Sequence, residues 1–413
     1  MNKLKKYALS SLYDMASGIS STKEQAGHGS PFVSFSTVFN NYFLPDELPD
    51  LMDTSAKEQE VYSIKKGDIL ITRTSETIDE LAMSCVATKD YPCATYSGFT
   101  KRLRPKTEGI AYYKYMAFYL RSACFRKAVT NNAFMTLRAS FNEDIFSFLN
   151  VYLPDYDVQV RIGDFLYSIE QKIGVNKQIC TELESMAKTI YDYWFSQFDF
   201  PDADGKPYRS SGGAMVWNEK LKCEIPKGWE LVPVIEGYDV CYGFPFDTAK
   251  FVNDCSGHPV MRIRDILGRS ISAYTTEKVD EKYWLQSGDM VIGMDGNFHI
   301  SFWDNTQALL NQRCVRIRSK GKLPVFMAYF ASLPYIKARE RTVSRTTVGH
   351  LSADDIKTLY VLCPDKATLD SVRNIFNSAL EKICNTNDEI RELTKLRDWL
   401  LPMLMNGQAT VGD

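Results

Sequence analysis

The strongest constraint on the fold is an internal repeat whose period is about half of the 413 residues. Residues 116–145 match residues 327–356 without a gap at an offset of 211. One residue is then lost, and 165–173 match 375–383 at an offset of 210. The matches keep their order while the offset drifts, as in an old duplication with altered loops. A period as long as a domain excludes a solenoid of short repeats and predicts two related domains.

Each half begins with a β-rich part and continues with a helix. Short apolar runs, several of them alternating, predict strands. A stretch rich in Tyr, Phe, Ala and Met follows at 112–130 and 324–341 and predicts a helix. A short strand then ends at Pro154 in one half and at Pro364 in the other. The predicted strands are 32–39, 68–74 and 99–104 in the first half and 260–266, 289–294 and 314–319 in the second.

A long helix closes each half. Apolar residues recur at alternating steps of three and four, which favours a coiled coil over a helix lying on a sheet. Each helix would span roughly 60 Å. We predict that the two seams bury each other; the alternative is that each packs on a partner's helix. The seam positions are Val158, Ile162, Phe165, Ile169, Ile173, Asn176, Ile179, Leu183, Met186, Ile190 and Trp194 in the first helix, and Leu369, Val372, Ile375, Ala379, Ile383, Ile390, Leu393, Leu396, Leu400 and Leu404 in the second.

Two features of the first helix allow two interpretations each. Asn176 at a seam position either fixes the register of the pair or is a tolerated polar gap. The aromatic end of the helix is either a docking surface for a partner or is buried against the second helix. The aromatic residues are Tyr191, Trp194, Phe195 and Phe198.

Together these patterns predict an α+β fold: two duplicated β-rich domains separated by an antiparallel coiled coil of two long helices, with pseudo-two-fold symmetry. A stretch rich in Pro, Gly, Ser and Asp connects the halves and reads as an ordered surface crossing. The predicted bounds are 1–153 for the first domain, 154–198 for the first helix, 199–229 for the connector, 230–363 for the second domain and 364–413 for the second helix.

Composition excludes several classes of protein. No apolar run is long enough to span a membrane, and the N-terminal residues lack the apolar core of a signal peptide. The ten cysteines include no CxxC pair, which argues against a zinc site and against a disulfide framework. Reduced thiols favour a cytoplasmic protein.

Motifs that carry catalysis are missing from the chain. It has no P-loop, no glycine-rich turn for a dinucleotide or S-adenosylmethionine, no [DN]PP[FYW] tetrapeptide, and neither GxSxG nor HExxH. None of the four histidines pairs with another at metal-ligand spacing. The sequence therefore predicts a binding protein, not an enzyme, with no cofactor and no metal.

Five sequence motifs together resemble those of a known protein family. The motifs are Gly67-Asp68-Ile69-Leu70 with Gly288-Asp289-Met290-Val291, Val348-Gly349-His350-Leu351-Ser352 with Asp355-Ile356 and Pro364, Ile225-Pro226-Lys227-Gly228-Trp229-Glu230, Asp204-Gly205-Lys206-Pro207-Tyr208 through Gly213, and Leu396-Arg397-Asp398-Trp399-Leu400-Leu401-Pro402 through Gly407. The family that they resemble is the specificity subunits of type I restriction-modification systems. The first module departs most from it, because Arg138-Ala139-Ser140-Phe141 aligns with Gly349-His350-Leu351-Ser352.

The resemblance implies a function in DNA recognition. In this family each β-rich domain is a target-recognition domain that reads one half of a split target in double-stranded DNA. The helices hold the domains apart and dock two methyltransferase subunits, which modify adenine at N6 and recruit the restriction (translocase-nuclease) subunits. Since the two modules differ in sequence, we expect an asymmetric target. The net charge of −2 suits a reader that shares its DNA affinity with basic partners.

Base reading needs donors and acceptors on loops, with Arg for guanine and Asn or Gln for adenine. Basic strand edges are better suited to holding phosphates, which positions a protein without specifying sequence. For each residue the alternative is an ordinary polar loop or a solvated strand face. The candidate base readers are Thr72, Arg73, Thr74, Ser75, Asn131, Asn132 and Arg138 in the first module, and Asn297, His299, Arg341, Ser344, Arg345 and Thr346 in the second. The candidate phosphate contacts are Lys101, Arg102, Arg104 and Lys106, and Arg316, Arg318, Lys320 and Lys322.

A second hypothesis comes from another class of protein. In it the coiled coil is the functional part, and the modules of this assembly protein bind protein or small ligands. Such a protein would show no sequence-selective retention of DNA, even with partner subunits present.

Overall fold

The computed structural model describes residues 4–75, 77, 80–132, 139–268, 271–296, 298–342 and 349–412. The chain divides into two compact units. Unit 1 comprises Met1–Lys172 and Leu393–Asp413, and unit 2 comprises Ile173–Glu392.

Unit 1 begins with a β-rich part and leads into a long helix, α7 (Tyr156–Tyr191). Its central sheet has the antiparallel order β2-β9-β5-β7, a smaller sheet has the order β4-β3-β8, and β1 pairs with β11. The elements are β1 (Lys5–Ala8), α1 (Leu9–Leu12), β2 (Tyr13–Ser17), β3 (Ala26–Val33), α2 (Phe35–Asn40), β4 (Asp50–Met52), α3 (Ala56–Val61), β5 (Ile69–Thr72), β6 (Thr74–Ser75), β7 (Ser84–Val86), β8 (Thr95–Tyr96), β9 (Thr100–Pro105), α4 (Tyr113–Tyr119), α5 (Ala123–Asn132), β10 (Ala139–Ser140), α6 (Glu143–Phe148) and β11 (Asn150–Leu153).

Unit 2 repeats this plan and leads into a second long helix, α12, whose residues from Leu393 onward belong to unit 1. Its central sheet has the antiparallel order β15-β22-β19-β20, a smaller sheet has the order β16-β18-β17-β21, and β14 pairs with β23. The elements are β12 (Met215–Asn218), β13 (Cys223–Pro226), β14 (Glu230–Pro233), α8 (Val234–Gly237), β15 (Tyr238–Tyr242), β16 (Phe251–Val252), β17 (His258–Met261), α9 (Asp265–Gly268), β18 (Tyr274–Thr275), β19 (Met290–Gly293), β20 (Ile300–Phe302), β21 (Leu309–Leu310), β22 (Cys314–Ser319), α10 (Val325–Thr342), α11 (Ala353–Lys357), β23 (Tyr360–Cys363) and α12 (Lys366–Met405).

The Gly-Asp motif has a structural role in unit 1. Gly67 has a φ of +87°, a conformation that glycine adopts without strain, and it turns the chain into β5. The carboxylate of the buried Asp68 accepts from the backbone N–H of Lys65 at 2.8 Å. The same carboxylate receives two bonds from Arg104 on β9, at 2.8 and 2.6 Å. The motif therefore links the start of β5 to the neighbouring strand β9.

Unit 2 contains the equivalent Gly-Asp motif and ion pair. Gly288 has a φ of +85°, and the carboxylate of Asp289 accepts from the N–H of Gln286 at 2.7 Å. Arg318 on β22 forms two bonds to Asp289, at 2.6 and 2.7 Å. Because the strand order and this ion pair recur, the duplication predicted from the sequence is confirmed in the fold.

The long helices contact each other within both units. In unit 2 the Nδ2 of Asn176 donates to Glu389 at 2.9 Å, and the thiol of Cys180 lies 3.9 Å from the carbonyl of Ile383. Position increases along α7 while it decreases along α12, so the helices are antiparallel there. In unit 1 the guanidinium of Arg397 pairs with Glu170 at 2.6 Å. The predicted burial of the seams against each other is confirmed, and the separate-partner alternative is not supported.

Four predicted seam positions are wrong. Phe165 and Met186 on α7 are exposed, and so are Ile375 and Leu396 on α12. The next residue along the chain takes the inward position in each case. The reason is that two neighbouring positions fit steps of three and four equally well, so the periodicity alone could not decide which residue of each pair faces inward. The inward residues are Leu166, Ala187, Phe376 and Arg397.

The aromatic end of the first helix is buried mainly against the connector, not against α12. Phe195 and Phe198 lie 5.3 and 5.9 Å from the ring of Trp229, and the ring of Phe200 lies 4.9 Å from it. Tyr191 instead packs on Phe330 of α10 at 5.2 Å. The connector is therefore an ordered crossing held by an aromatic cluster. Among the described residues, no helix is both long and apolar enough to cross a membrane.

Candidate nucleic-acid interface

Four predicted base readers lie at the end of the Gly-Asp strand of unit 1 and directly after it, and they differ in exposure. Thr72 is fully buried, and its Oγ1 accepts a hydrogen bond of 2.9 Å from the backbone N–H of Met83. Ser75 is also buried, whereas Thr74 is half-buried. Of the four, only Arg73 has an exposed side chain. Arg73 can therefore reach DNA without a change in the local structure.

Backbone hydrogen bonds hold Arg73 beside Phe99 and Phe141 at one corner of unit 1. Its backbone N–H donates to the carbonyl of Phe99 at 2.8 Å, and its carbonyl accepts from the N–H of Phe141 at 2.7 Å. Thr74 pairs with Ser140 in the ladder between β6 and β10. We define corner 1 as Arg73, Thr74, Phe99 and Ser140. The Phe99 side chain there is 63% exposed.

Lys101 adds a second positive charge next to corner 1. Its Nζ donates to the hydroxyl of Ser17 at 2.8 Å. Burial and the nearby charge of Arg73 lower the pKa of Lys101 below its ordinary value. A lowered lysine pKa means that the surroundings disfavour the ammonium ion. A bound phosphate would relieve that penalty, so Lys101 is well suited to holding an anion.

The equivalent corner of unit 2 holds different side chains. The N–H of Met294 donates to the carbonyl of Arg313 at 2.9 Å, and the carbonyl of Met294 accepts from the N–H of Leu351 at 2.8 Å. Asp295 forms a β-bridge with His350. We define corner 2 as Met294, Asp295, Arg313 and His350. The backbone bonds are those of corner 1, which makes the two corners structurally equivalent position by position.

Corner 2 contains a three-residue polar cluster. One oxygen of Asp295 lies 2.6 Å from Nδ1 of His350, and the other lies 3.3 Å from Nε of Arg313. The side chains of Arg313 and His350 are 58% and 52% exposed, while that of Asp295 is 28% exposed. A half-buried carboxylate thus holds two exposed donors in place.

The strand pairing corrects the alignment of the two module endings. His350 occupies the position of Ser140, and Leu351 that of Phe141. The gap-free match in the sequence had placed His350 opposite Ala139. The single-residue change of offset therefore occurs before Ser140 and not after residue 145. Similarity in the following helices hid the shift, because backbone hydrogen bonds, unlike residue identity, fix register.

A basic cleft lies beside corner 2. It has a volume of about 490 Å³, and Arg313 and the predicted reader His299 both line it. Arg262 in its wall is held by Asp265 and by the hydroxyl of Ser272 at 2.6 Å. The complete lining consists of Arg262, Ile263, Arg264, His299, Asn311, Gln312, Arg313 and Cys314. Positive charge and amide groups at an open cleft suit the edge of a base or a phosphate.

Four of the predicted phosphate contacts are engaged inside the protein. Arg104 and Arg318 form the ion pairs with the Gly-Asp carboxylates described above. Arg102 is buried and donates to the carbonyl of Ser63 at 2.6 Å. Arg316 is 1% exposed and pairs with Asp239. These arginines could contact phosphate only by leaving their partners, so we retain the lysines as candidates.

The remaining predicted residues divide into exposed ones and ones outside the described part of the chain. Lys320 is exposed, and its Nζ donates to the carbonyl of Glu236 at 2.9 Å. Lys106 pairs with Asp14 at 3.4 Å. The exposed candidates at helix ends are Asn131 on α5 and Arg341 on α10. Outside the described residues lie Arg138, Asn297, Ser344, Arg345 and Thr346, together with the side chain of Asn132.

Sequence reasoning missed Phe99, Asp295 and Arg313. Phe99 and Arg313 are equivalent, since the carbonyl of each accepts the backbone bond of the residue that follows the Gly-Asp strand. The available signal was the residue just before β9 and just before β22, but only the backbone hydrogen bonds show that it reaches the corner. Among the described residues, no group of three or more His, Cys, Asp or Glu is arranged to hold a metal ion.

Comparisons with known proteins show similarity to type I specificity subunits. Residues 3–185 match the family model of the type I restriction modification DNA specificity domain. The chain is 27% identical over 194 residues to the type I restriction enzyme EcoBI specificity subunit of Escherichia coli, an alignment that covers 46% of this chain and 41% of that protein. It is 22% identical over 380 residues to the MjaIX specificity subunit of Methanocaldococcus jannaschii, covering 88% of this chain and 82% of that one.

A solved structure shares the fold over nearly the whole length. It is the crystal structure of a type I restriction-modification system S subunit from M. genitalium, with a TM-score of 0.56 and 14% sequence identity. The alignment covers 98% of this chain and 96% of that one. The α+β architecture predicted from the sequence is therefore that of an S subunit.

Proposed function

Because the chain belongs to the type I restriction-modification DNA specificity subunits, we propose that it binds an asymmetric, two-part target in double-stranded DNA. Its role is non-catalytic DNA recognition. It directs two methyltransferase subunits, which modify adenine at N6, and through them the restriction subunits. None of the ten cysteines is joined to another by a disulfide in the structure, which supports action in the reducing cytoplasm.

One observation carries the proposal of an asymmetric target. The two units share their strand order and their Gly-Asp ion pair, yet the equivalent corners present different side chains. Corner 1 offers Arg73 and an exposed phenyl ring, whereas corner 2 offers Arg313, Asp295 and His350. Two copies of one frame with different exposed donors would read two different half-sites.

The reading surfaces that we propose divide into base and phosphate contacts. Arg73 in unit 1, and Arg313 with His299 in unit 2, have the exposure and the donors that base edges require. Lys101 and Lys320 are proposed to hold phosphates and so to set the register of each unit on its half-site. The predicted readers outside the described residues remain predictions: Arg138 in the first module, and Asn297, Ser344, Arg345 and Thr346 in the second.

The long helices are proposed to dock the methyltransferase subunits. Both carry large apolar side chains that face away from the seam, and exposed apolar surface is typical of an interaction site. These side chains are Phe165, Val175 and Met186 on α7, and Ile375, Leu396 and Trp399 on α12.

The test is to co-express the chain with its methyltransferase subunit and to map N6-methyladenine across the host genome by single-molecule sequencing. We expect a split, asymmetric motif that appears only when this chain is present; the methyltransferase alone is the control. A stable complex without such a motif would contradict DNA reading and would favour a scaffolding role for the helix pair.

A further inference from the structure

We propose that Arg313 reads a guanine in the half-site bound by unit 2 and that Asp295 positions it for that contact. The inference rests on the proposed function and adds to it the base, the residue and the half-site. Neither residue was a candidate on sequence grounds, since the pairing of the strands alone brings them together.

The ion pair leaves the arginine ready for a base. Asp295 holds Nε of Arg313 at 3.3 Å, and no described residue accepts a hydrogen bond from the terminal nitrogens. A guanidinium presents its donors as a planar fork that matches O6 and N7 of guanine. Restricting a long side chain before binding also lowers the entropy lost in the complex. Arg313 is 58% exposed, so the fork can reach a groove.

The carboxylate is itself held from two sides. Its second oxygen bonds to Nδ1 of His350 at 2.6 Å, and a β-bridge fixes the backbones of Asp295 and His350. The backbone of Arg313 is fixed by its carbonyl, which accepts from Met294 at 2.9 Å. Both ends of the ion pair are thus anchored to the central sheet. Such anchoring is what a base contact needs, because discrimination depends on the geometry of two parallel bonds.

The surroundings favour a nucleic acid as the ligand. Arg313 lines the basic cleft, where Arg264 is exposed and Gln312 adds an amide. Positive charge around the fork would attract the DNA backbone, while the fork itself has the shape for a base edge. A carboxylate ligand would also fit a guanidinium, but the cleft is open, as a duplex requires.

At the equivalent corner, unit 1 lacks the ion pair that Arg313 and Asp295 form in unit 2. Phe99 replaces Arg313, Thr74 replaces Asp295 and Ser140 replaces His350. None of these side chains can offer two parallel donors to guanine. A guanine read from the position of Arg313 therefore belongs to one half-site only, since the exposed arginine of corner 1, Arg73, occupies the position of Met294.

The experiment repeats the methylation mapping with the complete complex, using Arg313→Ala, Arg313→Lys and Asp295→Asn. We expect Arg313→Ala to abolish the requirement for guanine at one position of one half-site, with discrimination there falling about 10- to 100-fold. Arg313→Lys keeps the charge but not the fork and should relax the same position. Asp295→Asn should relax the requirement for guanine less than the Arg313 variants do. Asp295→Glu, which keeps the carboxylate, should retain part of that requirement. Arg209→Ala, an exposed arginine of the connector, is the control.

Each other outcome overturns a defined claim. If the wild-type chain confers no split motif, the proposed function fails before the variants are considered. If the motif is intact in both Arg313 variants, Arg313 reads no base. A uniform loss of methylation with an unchanged motif assigns Arg313 to a phosphate and also overturns the inference. If Arg313→Ala does not assemble with the methyltransferase, Arg313→Lys and Asp295→Asn decide, because both retain side chains of similar size.

Discussion

At the scale of single residues, the most informative groups are charged ones whose role depends on a partner from another strand. The sequence predicts that Asp68 and Asp289 each lie at the start of a strand. The structure shows that each also accepts hydrogen bonds from an arginine on the neighbouring strand. From the sequence, Arg104 and Arg318 were predicted to contact phosphate from basic strand edges, with a solvated strand face as the alternative. Their hydrogen bonds to these carboxylates place them within the framework, and bonding to Asp68 raises the pKa of Arg104 above its ordinary value.

Removing the charge of Asp68 should destabilise the protein. Asp68→Asn leaves Arg104 without its carboxylate in a half-buried position, and we expect a loss of about 3 kcal/mol in the free energy of unfolding. Asp14→Asn is the matched control, because its ion pair with Lys106 is exposed and should contribute about 0–1 kcal/mol. Denaturant titration of both variants measures the difference. Equal losses would show that Asp68 acts only as a surface charge.

The candidate site could be predicted from the sequence only in part. Arg73 and His299 were identified because they follow a strand that was itself clear from its apolar run. Arg313 and Asp295 were missed because they are far apart in sequence, and hydrogen bonds between strands bring them together. A charge at a strand edge also carries no sign of its partner, which is why Arg316 was taken for a phosphate contact although it is buried.

At the scale of elements, the long helices were the clearest prediction and the short strands the weakest. The run 32–39 was predicted as a strand, but β3 ends at Val33 and a helix begins at Phe35. The hydroxyl of Ser34 accepts from the N–H of Thr37 at 3.3 Å, and such capping starts a helix in an apolar run that is equally compatible with a strand. The run 260–266 similarly changes from strand to helix after Met261.

The polar seam contact should stabilise the helix pair in unit 2. Asn176 is buried and donates to Glu389, so Asn176→Ala removes a hydrogen bond to a charged group. We expect a loss of about 2 kcal/mol in the free energy of unfolding. Gln178→Ala, which truncates an exposed amide two residues away, should change stability by less than about 0.5 kcal/mol. If Asn176→Ala is as stable as the wild type, Asn176 is the tolerated polar gap that the sequence also allowed.

At the scale of the whole molecule, duplication explains what the sequence could and could not predict. The repeated framework could be detected in the sequence because both copies need the apolar runs and the Gly-Asp motif for packing. The corners diverged, so no repeat marks them, and their equivalence emerges only from backbone bonds such as those to Phe99 and Arg313. The residues that we propose as base readers therefore lie where the repeat is weakest.

A module exchange tests this division of labour. Replacing residues 1–150 with the first module of another specificity subunit should change one half of the methylated motif and leave the other half unaltered. The replacement must keep Tyr42 and Arg121, because Arg121 and Arg397 of α12 both lie 4.9 Å from the Tyr42 ring. Loss of that stack would destabilise unit 1 itself, and a change in the methylated motif could then not be separated from a loss of folded protein.

The reciprocal exchange of residues 230–363 is the control for the first one. It should change only the other half of the motif, including the guanine assigned to Arg313. Single-molecule sequencing of the host DNA reports both halves at once, and the melting temperature of each complex shows that it is folded. If either exchange altered both halves, the units would not read independently, and the asymmetry of the target could not be attributed to the different side chains at the two corners.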